Sequence, residues 1–197
     1  MLETTGKTAE NINTWFKTLI LEPGTIASTP AAKAINSDFN IIDTQNINRH
    51  QFLHEKYTDI FQDIYAANRN GEYHTVQKSG DGYSLFVGNI STRDYFKSIM
   101  NGGPAQITPP LVSRTTGIPT IFIVAPITDE DNHPQGLIGV GISLEYVQKI
   151  AESLKAGKTG YGIVIAKDGT YIYHPNKDFV SQQKKLTEVD DPSSREL

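Results

Sequence analysis

A few short stretches of this chain combine residue types and spacings that chemistry can use. The densest is Ser91-Thr92-Arg93-Asp94-Tyr95-Phe96. A guanidinium carries a fixed fork of donors that matches a carboxylate. Two neighbouring rings supply apolar wall, and the Tyr95 hydroxyl adds a polar handle. The same residues also have a structural use. Arg93 can cap or salt-bridge the helix that follows, and Tyr95 and Phe96 can be core. Spacing alone leaves both readings open. His50 and His54 stand at i, i+4 on an expected helix, an acceptable metal-ligand spacing. No third ligand accompanies them, so solvent-facing histidines are expected and no metal site. Asp129-Glu130-Asp131-Asn132 offers oxygens to Ca²⁺ but lacks the spacing of a dedicated loop. It reads as a solvated hairpin tip. His174-Pro175 reads as the end of a strand, because Pro cannot donate to a ladder.

Several function classes drop out. No nucleophile elbow, phosphate loop or zincin motif is present, so no catalytic residue, no cofactor and no enzyme activity is expected. There is no Cys, which removes disulfides, thiol catalysis and Cys-based metal centres. The net charge is −4, with 18 basic and 22 acidic residues, and no segment clusters Lys or Arg as a phosphate-tracking surface does. Nucleic acid is therefore not an expected partner. No apolar run approaches the roughly 18 residues that a bilayer span needs. Met1 is followed by Leu-Glu-Thr-Thr, without the basic start and apolar block of a secretion signal. Any membrane attachment would come from flanking segments.

The elements that would position these residues follow from periodicity. Ile12, Trp15, Phe16, Leu19 and Ile20 recur at helical spacing, and Pro23-Gly24 interrupts them. A second helical piece follows Pro30. Residues 46 to 60 read as a helix with Phe52, Leu53, Lys56, Tyr57 and Ile60 on one face. Phe61 to Ala67 and Tyr73 to Gln77 read as strands around Asn70-Gly71. Arg93 to Met100 is a short helix with Ser91 or Thr92 as N-cap. Gln106 to Val112, Pro119 to Ile127 and Gly136 to Ile142 are three further strands, followed by a helix from Ser143 to about Ala156. Tyr161 to Ala166 and Thr170 to Tyr173 form a last hairpin around Asp168-Gly169.

This order resembles the double Cache (dCache) sensor domains of bacterial chemoreceptors, sensor histidine kinases and diguanylate cyclases. Three stretches carry the resemblance. Arg93-Asp94-Tyr95-Phe96 looks like the family's Arg-x-aromatic-aromatic signature. Thr116-Gly117-Ile118-Pro119-Thr120-Ile121, Ala125-Pro126-Ile127 and Gly136-Leu137-Ile138-Gly139-Val140 are similar to its central hairpin. Gly160-Tyr161-Gly162-Ile163-Val164, Lys167-Asp168-Gly169 and His174-Pro175 look like the opening of its membrane-proximal module. The resemblance implies an α+β fold in three parts. Residues 1–36 form a long N-terminal helix. Residues 37–156 form a PAS-like antiparallel-sheet distal module with its connecting helix. Residues 157–197 begin a second PAS-like module.

It also implies extracytoplasmic sensing of a small molecule beside the short helix, with Arg93, Tyr95 and Phe96 at the pocket wall. Tyr65, Tyr83, Ser113 and Thr120 are further candidate lining residues. Amino-acid-binding members add a Tyr and an Asp at positions that fall on Leu111 and Gly141 here. Neither replacement recognises an ammonium group, so the expected ligand is a small carboxylate without an amine, or an uncharged metabolite. The stripe on the N-terminal helix suits either a homodimer or the core. The competing expectations are a ligand-free interaction module, its pocket filled by Leu111 and Phe96, and a cytosolic PAS-like regulator of an enzyme.

Overall fold

The computed structural model describes residues 2–57, 60–153, 161–166 and 168–189. Helices α1 (Leu2–Leu19), α2 (Leu21–Ala27), α3 (Pro30–Lys33) and α4 (Phe39–Lys56) lead into the sheet. The first break falls at Ile20, and Pro23 lies inside the first turn of α2, where its missing N–H costs nothing. Pro30 opens α3 behind the Thr29 cap, which accepts from the Ala32 N–H.

Strands β1 (Phe61–Asn68), β2 (Glu72–Ser79) and β3 (Gly82–Asn89) precede the short helix α5 (Asp94–Met100). Strands β4 (Gln106–Ile107), β5 (Leu111–Val112), β6 (Pro119–Thr128) and β7 (Pro134–Ile142) follow it. All pair antiparallel in the order β3-β2-β1-β7-β6-β4, with β5 also on β6. Helix α6 (Leu144–Ser153) then leads to a hairpin of β8 (Val164–Ile165) and β9 (Tyr171–Tyr173), and α7 (Lys177–Ser181) follows. The α+β expectation holds.

Strand alternation divides the core into two layers. Ile64, Ala66, Ile121, Ile123, Ile138 and Val140 face the N-terminal helices, together with Ile12, Phe16 and Leu19 of α1. The apolar stripe of α1 therefore packs inward. Tyr65, Ala67, Phe122, Val124 and Leu137 face the other way, where they meet Tyr95, Phe96 and Ile99 of α5.

Four expectations change. Helix α4 starts at Phe39, behind an Asp38 cap, because its inward face is partly polar: Ile42, Asp43, Asn46, His50 and Leu53 are buried. Phe52 is 45% exposed instead. His50 is buried against the Gln62 carbonyl at 3.2 Å, while His54 meets Lys78 Nζ at 2.9 Å. The two rings serve different contacts and form no metal pair. Strand β3, absent from the sequence reading, pairs with β2 along its whole length. The strand expected over 106–112 is two short pieces, because Pro109 and Pro110 have no N–H for the ladder.

The hairpin tip caps itself. Asp129 Oδ1 accepts from the backbone N–H groups of Asp131 and His133, at 3.1 and 2.8 Å. Strand β9 ends at Tyr173, just before His174-Pro175. Residues 154–156, the expected end of the connecting helix, and residues 157–160, 167 and 190–197 of the expected second module lie outside the described residues. No described helix is long and apolar enough to cross a membrane.

Candidate functional site

A cavity opens on the α5 side of the sheet. It is a partly open hollow, and the space among its lining atoms is about 300 Å³ with open solvent counted in. Strand alternation supplies its floor: Asp63 and Tyr65 from β1, Tyr73 and Thr75 from β2, and Phe122 from β6. Ile90, Arg93 and Tyr95 come from the entry to α5, and Ser113, Arg114 and Thr115 from the turn after β5.

The rings form a box. Tyr65 meets Tyr73 edge-on at 5.9 Å and Phe122 edge-on at 5.7 Å. Tyr95 stacks over Phe122 at 6.3 Å. Tyr73 Oη and Thr115 Oγ1 are 3.2 Å apart, tying the box to the turn. The Tyr65 hydroxyl is buried beside the Tyr95 phenol. Burial pushes its pKa up, and the Tyr95 phenol adds to that.

Two guanidiniums also line the cavity. Arg93 is the backbone N-cap of α5 and makes no side-chain cap. It displaces Ser91 and Thr92 from the expected capping role, because the Asn89 side chain accepts from Ser91. One Arg93 nitrogen donates to the Val112 carbonyl at 2.7 Å, which pins the α5 entry to β5. Arg114 donates to the Asn89 carbonyl and, at 2.6 Å, to Thr92 Oγ1. Neither guanidinium pairs with a carboxylate among the described ion pairs. Each has N–H groups beyond those contacts.

Asp63 lines the same cavity. It is 2% exposed, and its Oδ1 has no hydrogen-bond partner among the described residues. Burial raises its pKa to about 6, against partial support for the charged form from Gln77 and the Gly141 N–H. Its room comes from the neighbouring strand. Asp63 pairs across β1–β7 with Gly141, where a Cβ would sit 2.3 Å from Oδ1. Tyr65 leans over Gly139 in the same way.

Of the sequence-stretch candidates, Arg93, Tyr95, Tyr65 and Ser113 line the cavity together. Phe96 is core beneath α5, because the residue after Tyr95 points to another side of the helix. Leu111 packs against that same core without lining the cavity. Tyr83 lies on β3 and packs edge-on against His50 of α4, at 5.4 Å, on the helical face of the sheet. Thr120 is buried with its hydroxyl donating to Gln62 Oε1 at 2.9 Å. Gly141 is not among the residues lining the cavity, and contributes space beside Asp63. Sequence reading passed over Asp63, Tyr73, Thr75, Ile90, Arg114, Thr115 and Phe122. The alternation Asp63/Tyr65 and Tyr73/Thr75 was the one local signal available.

The architecture has solved counterparts. The ligand-binding domain of the Pseudomonas fluorescens chemoreceptor CtaA in complex with L-serine superposes with a TM-score of 0.69 at 23% identity, covering 93% of this chain and 73% of that one. The ligand-binding domain of the Pseudomonas aeruginosa chemoreceptor PctB in complex with L-Gln gives 0.67 at 24% identity, covering 98% and 74%. These likenesses establish the fold. In sequence, the chain is 30% identical over 112 residues to the methyl-accepting chemotaxis protein McpG of Pseudomonas putida, covering 57% of this chain and 16% of McpG. It is 26% identical over 182 residues to the methyl-accepting chemotaxis protein PctB, covering 92% of this chain and 27% of PctB. The chain thus spans about a quarter or less of those relatives. The Cache domain family model matches residues 1–196, nearly the whole sequence, and the chain belongs to the Cache domain family.

Proposed function

We propose that this chain is the extracytoplasmic sensing part of a transmembrane signalling receptor, and that its cavity takes a small organic carboxylate. The carrying observation is the pair Arg93 and Arg114, at one end of a ring-walled cavity and without an acidic partner among the described residues. A guanidinium fork binds a carboxylate bidentately, and water exclusion by the rings strengthens that bond. The chemotaxis relatives and the chemoreceptor ligand-binding folds support the sensing role. The L-serine and L-Gln bound by CtaA and PctB each carry a carboxylate.

The rival reading is a pocket filled by its own side chains. Either Leu111 and Phe96 in the hollow or a hollow too small for any solute would favour it; neither side chain lines the hollow. In the sensing reading, residues 37–156 are the ligand-binding module and residues 157–197 open a membrane-proximal one. Ligand that binds one arrangement of α5 and the sheet better than another shifts their balance by that difference in affinity. Helix α6 leaves the sheet directly at Ser143, whose N–H bonds the Ile60 carbonyl at 2.8 Å. It is the route by which such a shift reaches the following hairpin. A homodimer along α1 would use the faces left free by its inward stripe.

Calorimetry with a panel of small carboxylates tests the reading. Arg93→Ala is expected to weaken the best ligand by about 10- to 100-fold, the weight of a hydrogen bond to a charged group. Unchanged affinity in a folded Arg93→Ala variant would overturn it.

A further inference from the structure

We propose that the free edge of β3 is a pairing surface for a second copy of this chain, the two β3 strands joining antiparallel about a two-fold axis at Leu85. The two sheets then run on through the junction. Nothing in this pairing depends on what the cavity binds.

The edge is open. Strand β3 ends the sheet, with β2 as its one strand partner among the described residues. An antiparallel strand sends its N–H and C=O groups to either side at alternate residues. Pairing with β2 runs from Glu72–Asn89 to Ser79–Gly82 without a register shift. Just beyond it, the Ile90 N–H bonds the Gly71 carbonyl on the β2 side at 2.8 Å. Even-numbered residues therefore face β2, and Tyr83, Leu85 and Val87 turn their backbone groups outward. The Asn89 carbonyl follows the same alternation, and it accepts from Arg114.

The edge is also undefended. Natural sheets blunt their edges with charge, proline, a bulge or a short strand. The opposite end of this sheet does so: β4 and β5 have two residues each, and Pro109 and Pro110 lie between them. Strand β3 has eight residues, none charged and none proline. Leu85 is 46%, Phe86 43% and Val87 68% exposed. Phe86 stands opposite Thr75 of the cavity floor, so Leu85 and Val87 take the helical face. Both faces of the edge are thus apolar.

The strand fits its own copy. With Leu85 opposite Leu85, Tyr83 of each strand meets Val87 of the other. About six N–H···O bonds then close between the copies, two at each of three residue pairs. The helical face gains aromatic and branched cross-strand pairs, which stabilise a sheet. Charge favours the same register. Asp81, exposed in the β2–β3 turn, falls against Asn89 of the other copy, where Arg114 is held on the backbone. Arg114 has no carboxylate partner among the described ion pairs, and the two-fold makes the contact twice. A parallel pairing would set like ends together.

The chain has no Cys, so one introduced thiol reports the register. Leu85→Cys would stand opposite its copy at about 5.5 Å between Cα atoms, which a disulfide spans. Val87→Cys is the control: more exposed and on the same face, yet roughly 14 Å from its copy. Under mild oxidation Leu85→Cys is expected to crosslink at least about 10-fold faster, because pairing concentrates its thiols. Sedimentation velocity of the wild-type chain, from roughly 5 to 500 μM, is expected to show a reversible dimer of the weak kind that a small interface gives. Leu85→Lys puts a charge at the centre of the edge and is expected to weaken that dimer at least about 10-fold.

A wild-type chain that stays monomeric over this range overturns the proposal and leaves the edge to a strand of another protein. A dimer untouched by Leu85→Lys also overturns it, and places the contact elsewhere, such as along α1. Equal crosslinking of the two cysteine variants removes the register and the proposal with it. Wild-type sedimentation and the cysteine pair decide the question even if Leu85→Lys does not fold.

Discussion

Asp63 carries a cost that its fold does not need. In the unfolded chain an aspartate titrates near 3.8, and in the cavity near 6. The folded state therefore holds the proton more tightly. Stability is untouched below the unfolded value, falls as pH rises between the two, and stays lower above about 6. The full difference is about 3 kcal/mol. Asp63→Asn removes the charge and keeps the shape. Urea denaturation of the ligand-free protein should show the variant more stable by up to about 3 kcal/mol at pH 7.5, with the gain vanishing near pH 4. A destabilised variant at pH 7.5 would mean that Asp63 has native partners that the geometry does not reveal. Tyr65, Tyr95 and Arg93 share the cavity with it, and its raised pKa reflects burial above all.

Strand pairing explains why that residue can stand there. On the cavity side, β1 carries the large groups Asp63 and Tyr65, and β7 answers them with Gly141 and Gly139. The two strands behave as one surface with its bulk assigned to β1. Gly141→Ala puts a methyl group 2.3 Å from Asp63 Oδ1. The carboxylate must swing into the cavity or β7 must shift, an overpacking that typically costs about 1–3 kcal/mol. The variant should lose that much stability by urea denaturation and lose ligand affinity as well. Wild-type affinity in Gly141→Ala would show that Asp63 is not part of the site. The sheet's far edge shows the opposite case. Strand β3 has no regular inside–outside pattern, with Leu85, Phe86 and Val87 all exposed. It owes its conformation to the β2 ladder, and so its residues offered no period to read.

For the chain as a unit, ligand binding and folding are linked. A ligand that binds only the folded state at about 100 times its dissociation constant adds about 2.7 kcal/mol. A domain of this size converts that into a melting shift of roughly 5–10 °C. Differential scanning calorimetry with the best probe should show it, and should show no shift with the same probe on Arg93→Ala. The hairpin after α6 touches the sheet module. Ile172 and Tyr173 pack against the helical-side core, and Gln183 donates to the Pro110 carbonyl at 2.5 Å. Gln183, after α7, thus ties the segment following the last hairpin to the chain before β5.

Local patterns in the chain were sufficient for the fold class, most strands, the helix after the sheet and the placing of Arg93 and Tyr95 at the α5 entry. Those depend on period, turn residues and a short motif, all of them near in sequence. The same patterns misplaced the start of α4, whose buried face carries Asp43, Asn46 and His50, because polar residues hide a helical period. Only folding showed the rest: antiparallel pairing sets residue 63 against residue 141, and side chains at 63, 73, 93, 114 and 122 meet in one hollow. Charge complementarity across such separations exists only once the register of the strands brings the groups together.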